Sequence, residues 1–149
     1  MKFSDLFRDD PVEGLEECKE GIGAITVRTA SLDDIDELMR LEKCSWAPHL
    51  QVSRKVVVDR VSKYPEGQFI AMQRGFVVGY LFTQRIKSTT GLVNGRFSEQ
   101  GHLHDANGGL VQLMAIAVDT SMTDGNAAHV LRNHALSLAR GDPHITEVV

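Results

Sequence analysis

The chain has 149 residues, of which 42% are hydrophobic and 24% are charged, and its formal net charge is −4 at pH 7. This length suits one globular domain with a hydrophobic core, and the acidic balance argues against nucleic acids or an anionic membrane surface as partners. The two cysteines lack metal-type spacing, and no apolar run has signal-peptide or membrane-span length, so we expect a soluble cytoplasmic protein.

The N-terminal part of the chain predicts a lead-in segment followed by a first strand. Residues 1–23 are acidic and contain one proline and three glycines, so we separate them from a domain over residues 24–149. The sequence ITVRT, at 25–29, alternates apolar and polar side chains. That alternation is typical of a half-buried strand.

Two helices follow this strand. Ser31 and Asp34 have the spacing of a reciprocal N-terminal cap, and Ser53 can cap a second helix that Pro65 and Gly67 end. The apolar positions of the first helix recur at helical spacing, which predicts its buried face: Leu32, Ile35, Leu38 and Met39.

A β-hairpin is predicted next. The apolar runs QFIAMQ and FVVGYLFTQRI are separated by Arg74 and Gly75, and a two-residue loop containing glycine is a strong hairpin signal. The segment 87–109 is polar and rich in glycine, serine, threonine and asparagine. We expect a long loop or a weak strand there.

The most informative segment is 111–140, which predicts a buried strand, a polar turn with Gly125, and an amphipathic helix. The helix has an apolar face made by Ala127, Leu131, Ala135 and Leu138. A helix that begins after such a turn offers free backbone N–H groups and the positive end of its dipole, which favours a phosphate-bearing ligand. Gly141 and Pro143 predict the end of this helix, and ITEVV predicts a further strand.

The order of elements is strand, helix, helix, three strands, helix, strand. This order indicates an α/β (α+β) fold with a mixed, mostly antiparallel sheet flanked by helices. These residues resemble the GCN5-related N-acetyltransferase (GNAT) superfamily: ITVRTASLDDIDELMRLE resembles its first strand and helix, and VQLMAIAV its fourth strand. The resemblance ends after the crossover helix, so we expect the C-terminal part of the fold to be missing, together with family side chains that lie near the acyl group.

The resemblance implies a binding site for an acyl-CoA. In the family the fourth strand bonds the pantetheine arm, and the following turn and helix start hold the pyrophosphate. Carried onto this chain, the pantetheine residues are Ile116, Ala117 and Val118, and the pyrophosphate residues are Gly125, Asn126, Ala127 and Ala128. Met122 departs from the usual Gln or Arg of the family turn, and Asp124 adds a negative charge that opposes phosphate binding. The alternative is an ordinary strand-to-helix turn in which Gly125 only supplies backbone freedom.

A narrower resemblance is to the GNAT-like loading domains of polyketide synthases, carried by LEKCSWAPHLQVS and YPEGQFIAMQRGFVVGYLFTQRI. Those domains decarboxylate a malonyl-type CoA and load the acyl group onto an acyl-carrier protein. The resemblance makes Trp46 a wall of the acyl pocket; the alternative is an ordinary core aromatic. Gln112, which interrupts an apolar strand, either points into the acyl slot or is a satisfied buried amide.

The sequence therefore favours an acyltransferase-type domain that takes acetyl-CoA or malonyl-type CoA as substrate and has no permanently bound cofactor. Alternatives are an amine N-acetyltransferase and a non-catalytic GNAT-like binding module or inactive fragment. No residue can be assigned from the sequence as the general base for amine transfer. His102, His104 and Asp105 invite a metal site, but no further ligand stands out beside them, so we expect none.

Overall fold

The computed structural model describes residues 23–93, 97–123 and 126–149. They form a five-stranded sheet and three α-helices. In chain order the elements are β1 (Thr26–Thr29), α1 (Ile35–Ser45), α2 (Arg54–Lys63), β2 (Gln68–Gln73), β3 (Phe76–Ile86), β4 (Leu110–Val118), α3 (Ala127–Gly141) and β5 (Glu147–Val148). The predicted lead-in, up to residue 22, lies outside the described residues.

The sheet has its strands in sequence order, β1-β2-β3-β4-β5. The first four strands are antiparallel neighbours, and β5 returns parallel to β4 after the crossover helix α3. The predicted mixed, mostly antiparallel α/β fold is confirmed. None of the helices in the described residues has the length and hydrophobicity that a membrane span requires.

A β-bulge interrupts the pairing of β3 with β4. Thr83 faces Leu113 and Phe82 faces Ala115, so Met114 is an additional residue on β4. An additional residue changes which side chains face each side of the sheet beyond it. Before the bulge, Gln112 of β4 lies opposite Gln84 of β3. After the bulge, the odd-numbered residues of β4 lie on the same face of the sheet as Gln112.

The predicted hairpin between β2 and β3 is present. Arg74 and Gly75 both have positive φ, at 53° and 80°. Two consecutive residues with positive φ are the signature of the tight turn whose twist matches antiparallel strands.

The capping residues of the first helical segment lie as the sequence predicts. Asp34 accepts a hydrogen bond from the backbone N–H of Ser31 at 2.8 Å and is also held by the guanidinium of Arg28. A 3₁₀ turn (Leu32–Asp34) precedes α1. The prediction that Leu32 is buried is wrong, because this turn leaves 58% of the residue exposed.

Hydrophobic side chains cover both faces of the sheet. One face packs against α1 and α2 through residues such as Leu38, Val57 and Phe82. The opposite face packs against α3 through Leu81 and Leu131. The central strands are therefore buried on both sides, as their nearly continuous apolar sequences predict.

The crossover helix α3 buries most of its predicted face. Ala127, Leu131 and Ala135 are buried, but Leu138 is 52% exposed, and the buried positions of the last turns are Leu136 and Ala139. The helix also includes Gly141, which the sequence predicts just beyond its end. Both differences arise near the helix end, where packing against β5 selects the contact face.

Candidate functional site

The outer edge of β4 changes its partner along the strand. At its start β5 pairs with Leu110 and Val111, and the backbone N–H of Leu113 donates to the carbonyl of Val149 at 2.9 Å. Past Leu113, no strand of the described residues lies beside this edge. Among the residues that the structure describes, the remaining half of β4 is thus an open edge of hydrogen-bonding groups.

Of the three predicted pantetheine residues, Ile116 and Val118 have their backbone groups on this edge and Ala117 does not. The backbone N–H of Asp119 donates to the carbonyl of Val78 in β3 at 2.8 Å. Because backbone groups alternate in an antiparallel pair, those of Ala117 also face β3 and those of Ile116 and Val118 face outward. Ile116 is 37% exposed and Ala117 is 5% exposed.

The turn after β4 is organised by Asp119. Its carbonyl accepts hydrogen bonds from the N–H groups of Met122 and Thr123, and its carboxylate accepts from the N–H and hydroxyl of Ser121. Arg40 of α1 binds the same carboxylate. These bonds, Ser121 first and Arg40 next, hold the pKa of Asp119 below its ordinary value.

The predicted pyrophosphate residues are partly described. Asp124 and Gly125 lie outside the described residues. Asn126 is exposed at the start of α3, Ala127 is fully buried against the sheet, and Ala128 is half-buried in the first turn. The first turn is thus open to solvent at Asn126 and Ala128, and the free backbone N–H groups of a helix start favour an anion.

Gln112 belongs to a buried cluster of amides. Its carbonyl oxygen accepts from Gln84 at 2.6 Å, and its amide nitrogen donates to the side chain of Gln100 at 3.1 Å. Gln84 also donates to the backbone carbonyl of Gln100. Both ends of the Gln112 side chain are therefore engaged inside the protein, which favours the buried-amide interpretation over a catalytic one.

Trp46 lies at the end of α1, half-buried, on the face of the sheet that α1 and α2 cover. Its indole N–H donates to the hydroxyl of Tyr80 at 2.8 Å. Tyr80 in turn donates to the carboxylate of Glu42. Burial, followed by the bond to Glu42, raises the pKa of Tyr80 well above its ordinary value, so its hydroxyl keeps its proton.

A cavity of about 170 Å³, lined by both polar and apolar side chains, lies between α2, β3 and the loop before β4, and it reaches Met114 at the bulge. Arg60 of α2 lines the cavity and is 7% exposed, and its guanidinium carbon is 5.3 Å from the centre of the Phe82 ring. Desolvation lowers the pKa of Arg60, which the negative charge of Glu42 opposes. Since arginine stays protonated in proteins, the cavity carries a buried positive charge.

His104 also lines this cavity. Its Nδ1 accepts a hydrogen bond from the backbone N–H of Arg85 at 3.2 Å, and its ring stacks on Tyr64 with centroids 4.9 Å apart. An occupied Nδ1 assigns the proton to Nε2. Burial lowers the pKa of His104, so the neutral ring with a donor at Nε2 prevails at pH 7.

The sequence did not lead to a prediction of Glu42, Tyr80 or Arg60 as site residues. Glu42 lies four residues after the buried Leu38, and Arg60 lies three residues after the buried Val57. Charged residues at positions of the apolar helix face were the signal that could have marked them. Within the described residues, no three His, Cys, Asp or Glu side chains converge as a metal site.

No protein-family model matches the chain, and no curated protein is significantly similar to it. Solved structures do match. The GphF GNAT-like decarboxylase, in complex with isobutyryl-CoA, is 32% identical over 80% of this chain and 62% of its own, with a TM-score of 0.75. The loading GNATL domain of CurA from Lyngbya majuscula is 26% identical over 84% of this chain and 63% of its own, with a TM-score of 0.79.

Further solved structures match in fold alone. Ard1 from Thermoplasma volcanium is 21% identical, covers 79% of this chain and 65% of its own, and has a TM-score of 0.56. This chain thus spans less than two thirds of each of these three structures. Together with the sheet order and the crossover helix, these likenesses confirm the fold predicted from the sequence: the chain has the GNAT acyltransferase fold and is similar to GNAT-like decarboxylase and loading domains.

Proposed function

We propose that this chain is an acyl-CoA-dependent, acyltransferase-type domain. The observation that carries the proposal is the outer edge of β4 past Leu113, which has no strand beside it in the described residues and precedes α3 in the chain. The outward backbone groups of Ile116 and Val118 would bond the amides of the pantetheine arm. Additional support is the bound isobutyryl-CoA of the GphF decarboxylase.

The pyrophosphate would lie at the first turn of α3, against Asn126, Ala127 and Ala128, with Gly125 in the preceding turn. The helix start supplies N–H donors and a positive dipole end. Asp124 opposes this binding through its charge, and the small side chains of Ala127 and Ala128 favour it by permitting close approach of the phosphates.

We further propose that the acyl group is malonyl-type. The cavity reaches Met114, two residues before Ile116, and Arg60 gives it a buried positive charge that suits a carboxylate. In decarboxylation, the bond between the α-carbon and the carboxylate breaks and CO₂ leaves. The electron pair forms a thioester enolate, which a donor such as Nε2–H of His104 would stabilise, and a proton from solvent then adds at the α-carbon.

The product acyl thioester would pass to an acyl-carrier protein. The carrier thiolate attacks the thioester carbonyl, the bond to the CoA sulfur breaks, and CoA leaves as a thiolate that takes a proton. This transfer exchanges one thioester for another and requires no oxidant or metal. The likeness to the loading GNATL domain of CurA is what favours a thiol acceptor over an amine.

The binding site is tested by a matched pair of substitutions. Ala128→Glu and Ala128→Gln introduce side chains of similar size, of which only glutamate carries a charge. We expect Ala128→Glu to weaken CoA binding about tenfold relative to Ala128→Gln, a difference of about 1.4 kcal/mol. A carboxylate in the first helical turn does not destabilise the helix. Equal affinities measured by calorimetry would contradict the pyrophosphate assignment.

The reaction is tested with malonyl-CoA, acetyl-CoA and CoA. A ligand at about one hundred times its dissociation constant raises the stability of the fold by about 2.7 kcal/mol, which a thermal melt detects. We expect all three to bind and CO₂ to be released from malonyl-CoA. Binding without release of CO₂ or acyl transfer to a carrier protein would favour a non-catalytic binding module instead.

A further inference from the structure

Glu42 is a buried carboxylate with two separate structural partners. It lies on α1 and is 2% exposed. One of its oxygens accepts a hydrogen bond from the hydroxyl of Tyr80 in β3, and the other accepts from the backbone N–H of Val52 at 3.1 Å. Glu42 therefore joins the central sheet to the C-terminal end of the loop that connects α1 with α2.

The N-terminal end of the same loop is bound to the same pair. Trp46 donates its indole N–H to the Tyr80 hydroxyl at 2.8 Å. Its backbone carbonyl accepts from the side chain of Gln51 at 2.9 Å, which closes the loop on itself. Both ends of segment 46–52 thus depend on the hydrogen bonds of Glu42 and Tyr80.

Tyr80 connects this loop to the candidate acyl site. Its cross-strand partner is Ala117, whose side chain belongs to the same core face. Its ring stacks on Phe82 with centroids 4.3 Å apart, and Phe82 in turn lies beneath the guanidinium of Arg60. Trp46 is therefore held above the face of β3 that adjoins the small side chain of Ala117.

We propose that Glu42 and Tyr80 are positioning residues that hold Trp46 and the loop 46–52 beside the candidate acyl-CoA site, on the side of the sheet where the side chain of Ala117 lies. This inference rests on the proposed function for the identity of the site. A buried charged group contributes little net stability relative to a well-packed apolar side chain. A carboxylate at this position is accordingly better explained by the geometry it imposes than by the stability it adds.

The network requires a carboxylate. Both oxygens of Glu42 are acceptors, whereas a glutamine offers one acceptor and one donor group. Glu42→Gln can therefore accept only one of the bonds from Tyr80 and Val52, and the Tyr80 hydroxyl must reorient or lose this partner. Tyr80→Phe removes a single hydroxyl and leaves Trp46 without its acceptor. Both substitutions preserve side-chain volume, which favours folding of the variants.

Trp46 is the single tryptophan of the chain, so its fluorescence reports on this loop alone. In the ligand-free protein we expect Tyr80→Phe and Glu42→Gln to increase acrylamide quenching and to shift emission to longer wavelength. Glu37→Gln, an exposed glutamate on the same helix, is the matched control and should retain the wild-type spectrum. Wild-type quenching in folded Tyr80→Phe protein would overturn the positioning role.

A second measurement tests whether the positioned loop serves the acyl group. We expect Tyr80→Phe to weaken malonyl-CoA binding about fivefold, the effect of one lost hydrogen bond, while the affinity for CoA without an acyl group is retained. Equal losses for both ligands would overturn the assignment of this loop to the acyl group. If wild-type protein binds neither ligand, the proposed function fails, and the fluorescence still decides the positioning role.

Discussion

The guanidinium of Arg40 and the carboxylate of Asp119 lie 2.7 Å apart and join helix α1 to the first residue after β4. The same arginine donates to the backbone carbonyl of Val77 at 3.0 Å. One side chain thus ties the β4–α3 turn to both a helix and a neighbouring strand, across 79 positions of the sequence.

Removing the charge of Arg40 should destabilise this turn. We expect Arg40→Gln to reduce the free energy of unfolding by about 1–2 kcal/mol, because it loses a charge-assisted bond to Asp119 and a bond to a backbone carbonyl. Glu37 also pairs with Arg40 but is half-exposed, so Glu37→Gln should change stability by less than about 0.5 kcal/mol. Equal effects of the two variants in urea denaturation would contradict a special role for Asp119.

Because of Asp34, the free energy of unfolding should decrease as the pH falls into the acidic range. The bond from Arg28, together with the N–H of Ser31, holds the pKa of Asp34 below its ordinary value. Its stabilising contribution is therefore complete above the unfolded-state pKa of about 3.9 and is lost as the pH falls through the lower folded-state pKa. We expect Asp34→Asn to cost about 1 kcal/mol at pH 7. Stability curves of wild type and variant that do not begin to approach each other as the pH falls below about 3.9 would contradict this assignment.

Gly79 is required by a close approach of two strands and a helix. A Cβ at this position would lie 2.9 Å from the carbonyl oxygen of Ala117 and 3.3 Å from Leu131. We expect Gly79→Ala to reduce stability by about 1–3 kcal/mol through overpacking. Gly141, in the last turn of α3, is the control: its Cβ would meet nothing within 4 Å, so Gly141→Ala should gain about 0.5 kcal/mol. Thermal melts that rank the two variants in the opposite order would refute the packing argument.

Gln112→Leu distinguishes the two interpretations of this amide. As a structural residue it supports Gln84 and Gln100, and its loss leaves buried polar groups without partners, which costs about 1–3 kcal/mol. CoA affinity measured by calorimetry on the folded variant should remain unchanged. A variant with wild-type stability but lost turnover of malonyl-CoA would instead favour the catalytic interpretation.

Local signals in the sequence account for most of the fold. The hairpin at Arg74 and Gly75 was predictable because a tight turn depends on its own two residues, and the Ser31–Asp34 cap because it is closed within one turn. The burial of Leu32 and Leu138 was mispredicted since both lie near helix ends, where contacts with other elements decide exposure.

The candidate site was predictable only where it depends on the backbone. The position of Ile116 to Val118 on a strand edge follows from the order of elements. The Glu42–Tyr80 bond joins residues 38 positions apart, and nothing in either local sequence specifies the partner. The two glutamines that form hydrogen bonds with Gln112 could not be predicted either, because they come from another strand and from a loop.

The additional residue at Met114 determines which side chains of the second half of β4 face each side of the sheet. Without it, the large side chains of Ile116 and Val118 would turn toward α1 and α2, and the alanines at 115 and 117 toward α3. The bulge thus places the two smallest side chains of the strand beside Tyr80 and Phe82, on the side where Trp46 lies. A single additional residue therefore determines on which side of the sheet small side chains leave space for a ligand.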